Sequence, residues 1–299
     1  MTTAIATKAN FSEALYERFI AYLDAKPRTI ETYTKNLRAF FSWVQNNGVI
    51  NPSFEDVKAY RDYLNQSYKP STVQAYIFVI RRFFEFTEQS GLYPNVAGKI
   101  KGATISREFK KDYLTASQVK GVVEGVTNPR DKAIIMLMVT CGLRDVEVSR
   151  AKVEDLRTMG ANTVLFIQGK GREEKAEFVI VPPTVEAIIR AYLATRKDVK
   201  GTEPLFTSVS NNSKGAPLTT RSISSICKNA MISAGYNSDR LTAHSLRHTA
   251  VTLALLGGAT IQEAQQFARH RNINTTQIYA HNLEAQSNKC SGLVADAIF

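Results

Sequence analysis

Between residues 10 and 91 the apolar positions recur at three- and four-residue spacing in four segments. Leu15, Phe19, Ile20 and Leu23 form one set, and Tyr33, Leu37, Phe40, Phe41 and Val44 form the next. That spacing places them on one face of a helix and predicts four amphipathic helices around a shared core. Lys26-Pro27, Asn47-Gly48, Asn51-Pro52 and Lys69-Pro70 punctuate the segments, with Ser71 or Thr72 near the start of the last helix. Proline is accepted in a first helical turn and breaks a helix elsewhere.

After residue 92 the pattern changes. Residues 93–111 contain Pro94, Gly98 and Gly102 among a string of Lys and Arg without sustained periodicity, and they read as a basic linker. Leu114-Thr115-Ala116-Ser117 is a helix-start signal, followed by an apolar helix that stops at Gly142. Residues 163–168 and 176–181 are β-branched and aromatic runs flanking Gly169-Lys170-Gly171-Arg172, which predicts a hairpin. Helical patterning resumes from Thr184 and, with a loop at residues 211–215, continues to about Asn282. The expected fold is mostly α with a small β-hairpin or sheet. A four-helix domain over residues 1–92 and a linker over 93–111 precede a larger mixed α+β domain over 112–299.

Charge narrows the choice of partner. With 38 Lys and Arg against 27 Asp and Glu the chain carries +11, and the excess is spread over both halves. A basic excess of this size favours a polyanion such as nucleic acid. The longest apolar run, residues 133–139, is too short to span a bilayer, and no signal-peptide pattern opens the chain, so no membrane role is expected. Cys141, Cys227 and Cys290 are odd in number and lack metal-ligand spacing, which fits a reducing cytoplasm and supports neither a disulfide framework nor a zinc site.

The candidate chemistry gathers late in the chain. His244, His248, His270 and His281 all fall in the stretch that holds Arg247 and Tyr279. His244 and Arg247 are three apart and project from one helical face, where both can reach one anion. His244 and His248 have the spacing of a zinc pair without the glutamate expected between them, so His248 reads as a packed core histidine. Arg144 follows the break at Gly142, with Glu147 one helical turn on as an ion-pair partner.

Taken in order, Gly-Leu-Arg-Asp-Val-Glu at 142–147, Gly169-Lys170-Gly171, His-Ser-Leu-Arg-His-Thr at 244–249, His270 and Tyr279 closely resemble the tyrosine recombinase (phage integrase) family, in a two-domain form similar to the Xer-type and transposon integrases. The resemblance runs motif by motif from about Leu114 to His281. The N-terminal helices resemble the family's core-binding domain in size and position. It implies that Arg144, Lys170, His244, Arg247, His270 and Tyr279 take six active-site positions, with Glu147 as a supporting carboxylate. It implies a clamp on double-stranded DNA and a homo-tetramer on paired recombination sites, exchanging strands through 3′-phosphotyrosine and a Holliday junction, with the C-terminal tail docking on a neighbouring subunit. A cytoplasmic setting in a prokaryotic-type cell goes with this reading. A Leu-Gly pair commonly precedes the family's second histidine, whereas Ala268-Arg269 stands before His270, and Ala243 replaces a frequent proline before His244. The helix leading to His270 is therefore expected to end differently.

These residue types suit phosphoryl transfer. Charge accumulates on nonbridging oxygens in the transition state, and paired guanidiniums meet it with fixed hydrogen bonds, so no metal is expected. A tyrosine nucleophile stores the broken bond as a phosphotyrosine, so no nucleotide cofactor is expected either. Lys170 suits a general acid for the departing 5′ oxygen, with Arg172 and Lys175 as the next candidates, and His244 suits assistance to proton removal from Tyr279. Asn274-Thr275-Thr276-Gln277 reads as a capped helix start that puts Tyr279 early on a short helix. Two other readings stay open: a type IB-like DNA topoisomerase sharing this chemistry, and a non-cleaving DNA-binding regulator of the same fold.

Overall fold

The computed structural model describes residues 13–104, 112–169, 174–286 and 290–299. The hairpin turn with Lys170 and Gly171 and the last part of the expected linker lie outside the described residues. The chain divides into two units, Met1–Arg107 and Glu108–Phe299.

The first unit holds α1 (Glu13–Tyr22), α2 (Pro27–Asn46), α3 (Phe54–Ser67) and α4 (Pro70–Gln89). Pro27 and Pro70 each occupy a first helical turn, where the missing N–H costs nothing. Ser53 and Asp56 cap α3 reciprocally. Leu37 and Phe40 of α2, Val57 and Tyr60 of α3, and Ile80, Phe83 and Phe84 of α4 are buried together. Their rings meet edge to face, as Phe40 and Tyr60 do at 5.0 Å, the arrangement an aromatic quadrupole favours.

The expected linker differs in its described part. Tyr93, Ala97 and Ile100 are buried in the first unit's core. The N–H groups of Leu92 and Tyr93 donate to the Thr87 carbonyl, and the Tyr93 hydroxyl donates to the Pro52 carbonyl at 2.9 Å. Pro94 and Gly98 prevent a regular helix, yet an irregular chain still delivers three apolar side chains inward. Periodicity alone could not register that.

The second unit contains α5 (Ala116–Glu124), α6 (Pro129–Thr140) and α7 (Asp145–Arg150), then β1 (Leu156–Met159), β2 (Asn162–Ile167) and β3 (Glu177–Val181). It continues with α8 (Pro183–Ala194), α9 (Thr220–Ser233), α10 (Ala243–Leu256), α11 (Ile261–Ala268), α12 (Asn274–Gln286) and α13 (Cys290–Ile298). The fold is mostly α with one small antiparallel sheet in the order β1-β2-β3. The predicted hairpin is thus the β2–β3 part of a three-stranded sheet. Strand β1 escaped the pattern because Arg157, Thr158 and Met159 are all exposed, so no alternation marks it. Gly160, at φ 61°, turns the chain into β2.

Helix α6 is buried on nearly all sides through Ile134, Ile135, Leu137 and Met138, and packs with Ile189 of α8, Ile223 of α9 and Leu246 of α10. A smaller cluster joins Val251 of α10, Ala264 and Ala268 at α11, and Tyr279 of α12. That cluster packs α10, α11 and α12 against one another.

If residues 93–100 belong to the core, Tyr93→Ala removes a buried ring and its hydrogen bond. It is expected to destabilise the protein by about 3 kcal/mol, read as a lower midpoint in equilibrium urea unfolding of the full chain. An unchanged midpoint would return the segment to a solvated linker.

Candidate active site

The site begins where α6 ends. Gly142 takes φ 58°, and a Cβ there would approach the Phe267 ring to 3.1 Å, so both conformation and space call for glycine. This turn sends the chain into α7 with Arg144 extended at its N-cap. Glu147, one turn into α7, folds its carboxylate back: Oε2 accepts the Arg144 N–H and Oε1 accepts Arg144 Nη1, each at 2.8 Å. Oε2 also accepts Arg269 Nη2 at 2.9 Å. Glu147 is fully buried. Burial pushes its carboxyl up, but Arg269 and the backbone and side-chain donors of Arg144 outweigh that and hold it below the usual carboxylate range.

Arg247, on α10, is the largest fully buried side chain among the described residues. Its guanidinium donates to the carbonyls of Gly142 and Ala268, joining the end of α6 to the end of α11. Burial, then the nearby Arg144 and Arg269, push its pKa down to about 9, which leaves it cationic at neutral pH.

Helix α11 stops at Ala268, and Arg269 follows in the left-handed region at φ 52°, ψ 44°. The ending expected to differ therefore keeps the turn that glycine makes most readily, with an arginine in its place. His270 comes next, its Nδ1 2.9 Å from the Oγ1 of buried Thr276. Burial and then Arg247 and Arg144 push His270 down to about 4, so the ring is neutral at physiological pH.

Asn274 opens α12, as its capping pattern implied, and the Asn272 side chain accepts from the Asn274 N–H at 2.9 Å. Five residues on, Tyr279 is 4% exposed. Its ring lies nearly parallel to that of His270 at 6.2 Å. Its hydroxyl hydrogen-bonds His248 Nδ1, and the His248 ring meets His244 edge to face at 4.5 Å. Burial pushes the phenol up to about 12, against the pull of Arg247 and Arg144.

Arg144, Glu147, His244, Arg247, His270 and Tyr279 thus gather at the start of α7, the first turns of α10, the end of α11 and on α12. Lys170 lies outside the described residues; Gly169 beside it accepts from Arg150 at 3.4 Å. Lys175, later in the same hairpin, pairs with buried Asp155. Two contributors were not singled out from sequence. His248, read as core packing, instead contacts the Tyr279 hydroxyl, because four residues from His244 is also the spacing that shares its helical face. Arg269 had one signal, the departure from glycine before His270. An open cleft beside the cluster is lined by Arg144, Gly169, Glu177, His270 and Arg271. Among the described residues no group of three or more His, Cys, Asp or Glu side chains is placed to hold a metal. The arrangement can hold a phosphate-sized anion between guanidiniums and a neutral imidazole, with a phenol at hand.

Residues 112–286 match the phage integrase family, and residues 16–91 match the phage integrase N-terminal SAM-like domain. The tyrosine recombinase XerA of Pyrococcus horikoshii is 33% identical over 183 residues, covering 61% of this chain and 61% of that protein. The tyrosine recombinase XerC of Oceanobacillus iheyensis is 26% identical over 91% of this chain and 92% of its own length. Among solved structures, the XerH site-specific recombinase bound to palindromic difH substrate, a post-cleavage complex, aligns with a TM-score of 0.74 at 20% identity, covering 92% of this chain and 83% of that one. A lambda integrase dimer bound to a COC′ core site aligns at 0.68 and 16% identity, covering 89% and 97%. At these identities the structural likeness bears on the fold.

The low pKa of His270 carries a consequence for stability. The unfolded chain takes a proton near pH 6.5 that the folded site refuses until about pH 4. The stabilisation is present above pH 6.5 and is lost as pH falls through the folded value. Urea midpoints of the native chain are expected to fall more steeply between pH 6.5 and 4 than those of His270→Gln. Parallel pH profiles would show that His270 is not held neutral by this site.

Proposed function

The chain belongs to the phage integrase family, and from that premise we propose that it is a tyrosine site-specific recombinase that cleaves and rejoins double-stranded DNA. The observation that carries the reading is the convergence of Arg144, at the N-cap of α7, Arg247, on α10, and His270, just past α11, with Tyr279 of α12.

In the proposed reaction the Tyr279 oxygen attacks the scissile phosphorus, forming a 3′-phosphotyrosine bond while the bond from phosphorus to the 5′ oxygen breaks. Arg144 and Arg247 hold the nonbridging oxygens, whose charge grows in the transition state. Neutral His270, fixed by Thr276, donates its remaining ring N–H to the same phosphate. Tyr279 must give up a proton that burial makes hard to lose, and its hydrogen bond to His248 makes that imidazole the first to meet it, with His244 against His248 as the next acceptor. Lys170 supplies a proton to the departing 5′ oxygen. Attack by the freed 5′ hydroxyl of another strand reverses the step, and the bond energy kept in the phosphotyrosine drives rejoining.

Arg247 and Tyr279 are 1% and 4% exposed. A duplex phosphate reaches them only after the segment that covers them shifts, and Tyr279, held by a small cluster on α12, is suited to such movement. DNA recombination sites are the partner. Exposed Leu293, Val294, Ile298 and Phe299 on and beyond α13 support a tail that docks on a neighbouring subunit of a tetramer, with strand exchange through a Holliday junction.

The test uses DNA fragments captured covalently by the native chain from genomic or mobile-element DNA. Tyr279→Phe removes the nucleophile and almost no volume. It is expected to form no covalent adduct while its affinity for the same fragment stays within about twofold. Undiminished adduct would remove Tyr279 from the reaction.

A further inference from the structure

Arg269 is an arginine where the backbone asks for glycine. A non-glycine residue in the left-handed region costs on the order of 1 kcal/mol or more, and few residues in this chain accept it: among the described residues only Asp198 and Arg269 have positive φ without being glycine. The side chain explains what the conformation gains. The side chain is 7% exposed, and its guanidinium donates to the Phe267 carbonyl at 2.8 Å, the Gly142 carbonyl at 3.0 Å and Glu147 Oε2 at 2.9 Å. Between them the three acceptors belong to the elements that aim two groups, Arg144 and His270. Gly142 is the turn before Arg144, Glu147 is the carboxylate that grips Arg144, and Phe267 lies at the end of the helix that delivers His270.

We propose that Arg269 is a positioning residue for the strand-transfer reaction: it clasps Glu147, and through it Arg144, to the backbone turn that carries His270. The inference rests on the recombinase reading above. Glu147 divides its oxygens, Oε1 to the Arg144 guanidinium and Oε2 to the Arg144 N–H and Arg269. Take Arg269 away, and a carboxylate sealed from water keeps one guanidinium partner. It is then free to draw Arg144 toward itself and away from a phosphate. The link between the Gly142 turn and His270 is also left to Arg247 alone, which the reaction needs for the phosphate. Two groups that must meet one phosphate would then be set by separate parts of the fold. A shift of about 1 Å in such a group can cost about 100-fold in rate.

The experiment measures single-turnover cleavage and DNA affinity separately on a fragment captured by the native chain. Arg269→Gly suits the backbone and removes only the clasp. It is expected to bind DNA within about threefold of the native chain and to cleave about 100-fold more slowly. Arg269→Lys, which keeps one charged bond to Glu147 but not the fork, should recover part of that rate. In a Glu147→Gln background the further loss caused by Arg269→Gly should shrink to about threefold or less, because the two residues act through one contact. Native rates in Arg269→Gly would overturn the proposal, as would a loss that is undiminished in the Glu147→Gln background or that lies wholly in affinity. If the glycine variant does not fold, the lysine variant decides: slower cleavage at unchanged affinity supports the clasp, and a native rate overturns it. A native chain that forms no adduct at all would overturn the recombinase reading and this inference together. Normal adduct with an indifferent Arg269 would overturn this inference alone.

Discussion

The carboxylate of Glu147 is sealed from water among cations, and the rest of the site depends on how that charge is met. An ionised carboxylate in a dry interior costs several kcal/mol unless its lone pairs are filled, and removing one partner of such a pair is far more damaging than losing a surface ion pair. Here Arg144, three residues before it, and Arg269, 122 residues after it, fill it. The cost of exposing this carboxylate keeps α7, the end of α6 and the end of α11 in register. Gly142 completes the joint, since its carbonyl receives both Arg247 and Arg269 and its left-handed turn would set a Cβ 3.1 Å from the Phe267 ring.

One carboxylate does not balance three guanidiniums. Arg247 is bonded to neutral carbonyls and sits in the field of two other arginines, which is part of why its proton is held less firmly than usual. A buried cluster with excess positive charge is costly by itself and becomes favourable when an anion enters. Burial and then the same field keep His270 neutral, and the field eases the loss of the Tyr279 proton against the effect of burial. Structure and chemistry thus draw on one charge distribution: the arginines that fasten the elements also prepare the place where phosphate charge would develop.

Much of this was legible in the order of residues, for physical reasons that differ from part to part. Four helices around Phe40 and Phe83 follow from a 3.6-residue period interrupted by Pro27 and Pro70 at first turns. The sheet announced itself in β2 and β3, where Leu165, Val179 and Val181 alternate inward, and hid in β1, which is exposed along most of its length. Tyr93, Ala97 and Ile100 were illegible as core because an irregular chain carries no period. Arg144 and Glu147 stood out by their spacing after a glycine, whereas Arg269 makes sense only once its backbone angle and its bond to a residue 122 positions away are seen. His248 shows the limit of reading one helical face: its spacing from His244 was visible, but the Tyr279 hydroxyl that it meets comes from another helix.

The central claim is that Tyr279 is the nucleophile that accepts the phosphoryl group in a transfer staged by these arginines. Its most direct test is chemical. The adduct formed by the native chain on captured DNA is trimmed with nuclease, digested with protease, and its modified peptide sequenced by mass spectrometry. The account predicts a nucleotide joined through its 3′ phosphate to the peptide containing Tyr279, at the tyrosine oxygen. A nucleotide on any other side chain, or one joined to Tyr279 through a 5′ phosphate, would contradict it.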